Sequence, residues 1–89
     1  MRYVILKARC KRDLERAVQR DKDREKFLDI ARLLSREGRV PIHRRPHKLS
    51  GEYAGLWECH IESDWLLIYD ISDEEVVLVR TGSHTDLFG

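Results

Sequence analysis

Histidine, arginine and the carboxylates are the side chains that move protons or meet phosphate near neutral pH. In this chain they gather in the C-terminal half. His47, Glu58, His60, Asp64, Arg80 and His84 all lie between His47 and Gly89, interleaved with three short apolar runs. Directly before and among them, His43-Arg44-Arg45-Pro46-His47-Lys48 carries Arg44, Arg45 and Lys48 as fixed positive charges, two histidines and no acid. Zinc is the other chemistry that histidine and cysteine could serve. The 2 cysteines form no ligand-spaced pair to accompany the 4 histidines, so neither a metal nor a cofactor is expected. Cys10 and Cys59 do not form a C-x-x-C pair and read as buried or half-buried thiols of a reducing cytosol, which points to a cytoplasmic protein.

These groups need a scaffold. At 89 residues, a single domain spanning 1–89 with a small core is expected. An apolar content of 42% beside 37% charged residues fits a compact soluble domain and is too apolar for a disordered chain. The net charge of +1 gives no bulk-charge case for nucleic acid, so local placement of the cations has to carry any such reading. The opening MRYVILKAR is too short in its apolar run for a signal peptide. No stretch approaches the roughly 20 apolar residues of a membrane span.

Tyr3-Val4-Ile5-Leu6 reads as a strand. Cys10–Arg20 reads as a helix with one apolar stripe of Cys10, Leu14, Ala17 and Val18. Asp21-Lys22-Asp23 breaks it, and Asp23 can cap a second helix running to Arg36, where Phe27, Ile30, Ala31 and Leu34 fall at i, i+3, i+4 and i+7. Gly38 suits the left-handed C′ position, and Pro41 prevents continuation. Residues 39–55 form a long connection, a length often associated with function. Leu56–Glu62, Trp65–Ile71 and Glu75–Thr81 then read as an antiparallel meander. On the first of these, strict alternation sends Trp57, Cys59 and Ile61 one way and Glu58, His60 and Glu62 the other. The second is apolar on both faces and reads as central. On the third, Val76, Leu78 and Arg80 share a face. Residues 81–89 read as a polar, turn-forming tail apart from Leu87-Phe88. The fold class is therefore α+β: strand, helix, helix, then a three-strand antiparallel meander, with the helices on one face of the sheet.

The stretches H-K-L-S-G, C-H-I-E-S-D-W-L-L-I-Y and R-T-G-S-H-T-D-L-F resemble the YafQ-type toxins of the RelE/ParE superfamily, small bacterial proteins of type II toxin–antitoxin pairs that cleave messenger RNA on the ribosome. The resemblance is concentrated in residues 46–89; over 1–45 it rests on length and element order. It implies a RelE-like fold, a cognate antitoxin and ribosome-bound mRNA as partners, and no membrane. By motif match, it implies a catalytic set of His47, His60, Asp64, Arg80 and His84, with Phe88 as the aromatic residue at the end. Glu58 stands where such toxins usually carry aspartate, which keeps the charge on a longer arm. Glu58, Phe88, Arg44, Arg45 and Lys48 are the candidate substrate-binding residues.

The residue types suit that chemistry. In metal-free RNA cleavage the 2′-hydroxyl attacks its own 3′-phosphate and the 5′-oxygen leaves. A base, an acid and a cation for the growing phosphorane charge are needed. Histidine can be base or acid, arginine can grip phosphate bidentately, and an aromatic ring can stack a splayed base. Taken singly, each residue has a plainer reading: Asp64 as a turn former, His47 and His84 as exposed residues, Arg80 as a surface partner of Glu58, Phe88 as a terminal anchor. Their joint occurrence in family order and spacing favours the catalytic one. The alternatives are a gyrase-targeting, ParE-like member, which would lack this histidine set, and a non-catalytic member of the same fold.

Overall fold

The apolar stripe on each helix closes the fold. A computed structural model describes all residues, 1–89. Its elements are β1 (Tyr3–Leu6), α1 (Ala8–Gln19), α2 (Arg24–Glu37), β2 (His47–Lys48), β3 (Trp57–Glu62), β4 (Trp65–Ile71), β5 (Glu75–Gly82) and α3 (His84–Phe88), with 3₁₀ turns at Ile42–Arg44 and Gly51–Tyr53. Cys10, Leu14 and Ala17 of α1 and Phe27, Ile30, Ala31 and Leu34 of α2 are buried against Cys59, Ile61, Trp65, Leu67, Tyr69, Val76 and Leu78 of the sheet. Both helices therefore lie on one sheet face. Asp23 caps α2 by accepting the Glu25 N–H at 2.9 Å. Gly38 ends it in the left-handed region at φ 76°, where a Cβ would also approach the Arg2 guanidinium to 2.7 Å.

The sheet order is β1-β5-β4-β3-β2, with β1 parallel to β5 and the other neighbours antiparallel. β4 is central, as its two apolar faces require. Trp65, Leu67 and Tyr69 meet the helices, while Leu66 and Ile68 join a second, smaller cluster with Leu87 on the opposite face.

Three features depart from the sequence reading. The connection 39–55 contributes a fifth strand: β2 pairs His47 with Glu58 and Lys48 with Trp57. The tail is not a string of turns. Ser83 caps α3 in a reciprocal capping box with Asp86, and Leu87 docks on the second cluster. The alternation also fails at two bulges. One, between His60 and Glu62, leaves Glu62 paired with Lys22 and Lys26 of the helical layer instead of beside His60. The other, between Ile68 and Tyr69, sets Arg80 opposite Ile68 and Leu78 opposite Tyr69, so Arg80 does not continue the Val76, Leu78 series.

Cys10 and Cys59 are both fully buried, and burial pushes both thiols up to about 12. The native protein at pH 8 should therefore react with a thiol reagent only as fast as it opens, and the denatured protein should titrate two thiols at once. A rapid native reaction at either cysteine would place it outside the core.

Candidate active site

On the sheet face away from α1 and α2 there is an open cleft of about 490 Å³, lined by Arg45, His47, Leu49, Glu58, His60, Ser63, His84 and Phe88. Local chemistry builds it. β3 supplies Glu58 and His60 from alternate positions on one face, and β2 lays His47 directly opposite Glu58. α3 folds back at Gly82, where even a Cβ would come within 2.9 Å of the Asp86 Cβ. That close approach brings His84 and Phe88 over the end of β5.

Each of the three histidines in the cleft has its Nδ1 anchored to an acceptor. The His47 Nδ1 faces the Arg45 carbonyl at 3.0 Å, and the His60 Nδ1 faces the Ser63 carbonyl at 3.2 Å. The His84 Nδ1 lies 2.6 Å from Asp64 Oδ1. Carbonyl oxygens and ionised carboxylates only accept, so Nδ1 carries the hydrogen in each ring, and in His60 and His84 Nε2 is left as the atom that gains or loses a proton. The His60 and His84 rings are 5.8 Å apart between centroids, close enough to flank one small group. The His47 Nε2 lies 3.4 Å from Oε1 of Glu58, a nearly buried carboxylate whose Oε2 has no partner.

Asp64, in the β3–β4 turn, also accepts the backbone N–H of His84 at 3.0 Å. That bond first, and the ring second, hold its carboxyl below the ordinary 3.8. Asp64 is thus the orienting partner of His84, and the two exposed side chains form a carboxylate–imidazole dyad at the cleft rim.

Arg80 is not in the cleft. Its Nε and Nη2 donate to Asp13 of α1 at 2.7 and 3.3 Å, and its Nη1 donates to the Tyr53 hydroxyl at 3.1 Å. Arg80 is 7% exposed and Asp13 8%. β1 ends at Leu6 opposite Leu78, so α1 covers the next stretch of the β5 edge, and Asp13 also accepts the Thr81 N–H at 3.2 Å. The surface pair with Glu58 is therefore not formed, and Arg80 does not face the cleft beside His84.

Among the other candidates, Arg45, Glu58 and Phe88 line the cleft. Arg44 turns aside to donate to the Ile61 carbonyl at 2.7 Å, and Lys48 lies over the Trp57 ring at 5.8 Å, away from the cleft. No group of three or more His, Cys, Asp or Glu side chains is placed to hold a metal ion. Sequence reading missed two residues. Tyr53 packs edge-on against Phe88, with ring centroids 5.9 Å apart, and so links Arg80 to the cleft wall. Nothing local in its 3₁₀ turn announces this. Asp13 did leave a signal: it fills the i+3 place of the stripe Cys10, Asp13, Leu14, Ala17, where a purely packing role would call for an apolar residue.

This strand order with both long helices on one sheet face is that of a class of small bacterial toxins. YafQ from Escherichia coli strain BL21(DE3) superposes with a TM-score of 0.91 at 30% identity, with 100% of each chain covered. YafQ in the E. coli DinJ–YafQ complex superposes with a TM-score of 0.89 at 31% identity, again with 100% of each chain covered. The mRNA interferase toxin YafQ of E. coli strain K12 is 35% identical over 79 residues, 88% of this chain and 86% of that protein. Residues 2–89 match the family described as "Bacterial toxin of type II toxin-antitoxin system, YafQ", and the chain belongs to that family. The likeness read over residues 46–89 thus extends through the helical half as well.

Proposed function

We propose that this toxin is an mRNA interferase, an endoribonuclease that cuts messenger RNA on the ribosome and is held in check by a cognate antitoxin in the cytoplasm. One observation carries the reading: three histidines share one cleft, and His60 and His84 each have Nδ1 tied to an acceptor and Nε2 left for proton transfer. A relative named as an mRNA interferase supports it.

The 2′-hydroxyl attacks the adjacent phosphorus, so the nucleophile belongs to the substrate. His60 takes its proton, and His84, oriented by Asp64, protonates the departing 5′-oxygen. His47 closes the third side with Glu58 behind it. Arg45 lies against the developing phosphorane charge, and Phe88 offers a stacking face for a splayed base. Arg80 works from outside the cleft as a positioning residue. It fixes the end of β5 from which α3 springs and, through Tyr53, the ring of Phe88.

Induced expression should arrest growth, and co-expression of the antitoxin encoded beside it should restore growth. Cleavage sites mapped on ribosome-bound and naked copies of one message should appear only on the bound copy. Equal cutting of both would remove the ribosome from the mechanism. Intact messages accompanied by DNA-damage signalling would favour the gyrase-targeting alternative. Intact messages and normal growth would favour a non-catalytic member of the fold.

A further inference from the structure

A second depression, of about 320 Å³, adjoins the cleft and shares Arg45, His60 and Ser63 with it; His43, Arg44 and Glu62 complete its lining. No hydrophobic side chain lines it. Its one acid, Glu62, is already engaged: Lys22 donates to it at 3.2 Å and Lys26 at 2.7 Å. Lys22, Lys26, Arg44 and Arg45 thus set four fixed positive charges around one negative charge, in a protein whose net charge is +1.

Arg44 is held in place there. β2 covers β3 only at Trp57 and Glu58, so the Ile61 carbonyl lies on an uncovered part of the strand edge, and the Arg44 Nη1 occupies it at 2.7 Å. Nε and Nη2 remain to donate. Arg45 follows in the left-handed region, at φ 56° and ψ 50°, as one of only two non-glycine residues with positive φ. That turn lets one short segment serve both hollows: Arg44 lines the second depression, His47 lines the cleft, and Arg45 lines both. A guanidinium fixed at one nitrogen, with its remaining N–H groups unpaired and other cations beside it, suits the paired oxygens of a phosphodiester.

We infer that this second depression is a subsite for the message phosphodiester next to the scissile one, with Arg44 as its principal ligand. The inference rests on the mRNA-interferase reading and extends it by one nucleotide along the strand. Ribosomal RNA offers the same chemistry, and an acidic antitoxin segment offers a different one.

The test uses Arg44→Ala and Arg44→Lys on ribosome-bound messages that carry a single neutral methylphosphonate linkage at each phosphate flanking the cut site in turn. Unfolding midpoint and antitoxin binding are measured alongside. With the natural message, Arg44→Ala should raise KM by roughly 10-fold or more, the usual effect of losing a charged hydrogen bond, and leave kcat largely intact. Arg44→Lys should recover part of this loss. On free RNA, the salt dependence of Arg44→Ala binding should flatten by about one unit of slope. At one flanking position, the neutral linkage should make wild type and Arg44→Ala equal, because the partner charge is gone. An Arg44→Ala defect that persists in full on every methylphosphonate message would assign Arg44 to ribosomal RNA and overturn the inference. Wild-type cleavage with lost antitoxin binding would also overturn it, assigning Arg44 to the protein partner. A lowered unfolding midpoint that accounts for the whole activity loss would make Arg44 structural only. Failure of the wild type to cut any ribosome-bound message would overturn the interferase reading itself, an outcome distinct from all of these.

Discussion

His84→Ala should fold normally and bind its antitoxin, yet lose cleavage by roughly 10²–10⁴-fold, the usual contribution of a positioned proton-transfer group. The substituted residue is exposed and sits on a five-residue helix whose capping box is made by Ser83 and Asp86, so its removal leaves the fold's anchors in place. The loss should depend on the leaving group. A 5′-thio substrate departs without help from an acid, so His84→Ala should cut it nearly as well as the wild type. An equally large defect on the thio substrate would rule His84 out as the acid and make it a positioning or charge-stabilising group. Asp64 offers a second readout. Its carboxyl is held low mainly by the His84 backbone N–H, which the substitution keeps, and secondarily by the ring, which it removes. Its pKa, followed by NMR, should therefore rise in His84→Ala but stay below the ordinary 3.8. The sign for stability follows. These bonds favour the folded state at every pH above 3.8 and are lost as pH falls through the lowered value, so the dyad stays intact throughout the neutral range where cleavage occurs.

Asp13→Ala should give the largest loss of stability, about 3–5 kcal/mol, because it strands a buried guanidinium and a backbone N–H together. Whole domains are stable by only about 5–15 kcal/mol, so the variant should unfold at least ~12 °C lower in a thermal melt. Replacing both partners by apolar residues of similar size, as in Asp13→Leu with Arg80→Met, should recover much of the loss, since the cost comes from the unpaired charge more than from the absent pair. A cost below about 1 kcal/mol for Asp13→Ala would mean that water reaches the pair and that it behaves as a surface ion pair. The double variant should still cleave poorly, because Tyr53 loses the donor that ties it, and Phe88 with it, to the end of β5.

Much of this was legible in the chain itself. Phe27, Ile30, Ala31 and Leu34 announce α2 because a 3.6-residue period puts them on one face, and Asp23 and Gly38 mark its ends by local backbone chemistry. The double-sided apolar run Trp65–Ile71 could only be a central strand. Residue type alone singles out His47, His60 and His84, which line one cleft. The elements that escaped are the ones too short to carry a period: β2 has two residues and α3 five, and both exist because distant partners satisfy them. Bulges escaped for a related reason. Alternation assumes an unbroken ladder, and one extra residue sends Glu62 to Lys22 and Lys26 instead of leaving it beside His60.

The sequence by itself determined β1, the two long helices and the three-strand meander, because periodicity, capping and turn chemistry are local properties. Only the tertiary structure decided what each charge meets. Whether Arg80 faces a phosphate or a carboxylate depends on α1, 67 residues away, covering the edge of β5 where β1 runs out. Which nitrogen of His84 is free depends on the carboxylate of Asp64, 20 residues away in the β3–β4 turn. A side chain's type sets what it can do; its desolvation and its partners set what it does, and both come from segments far apart in the chain.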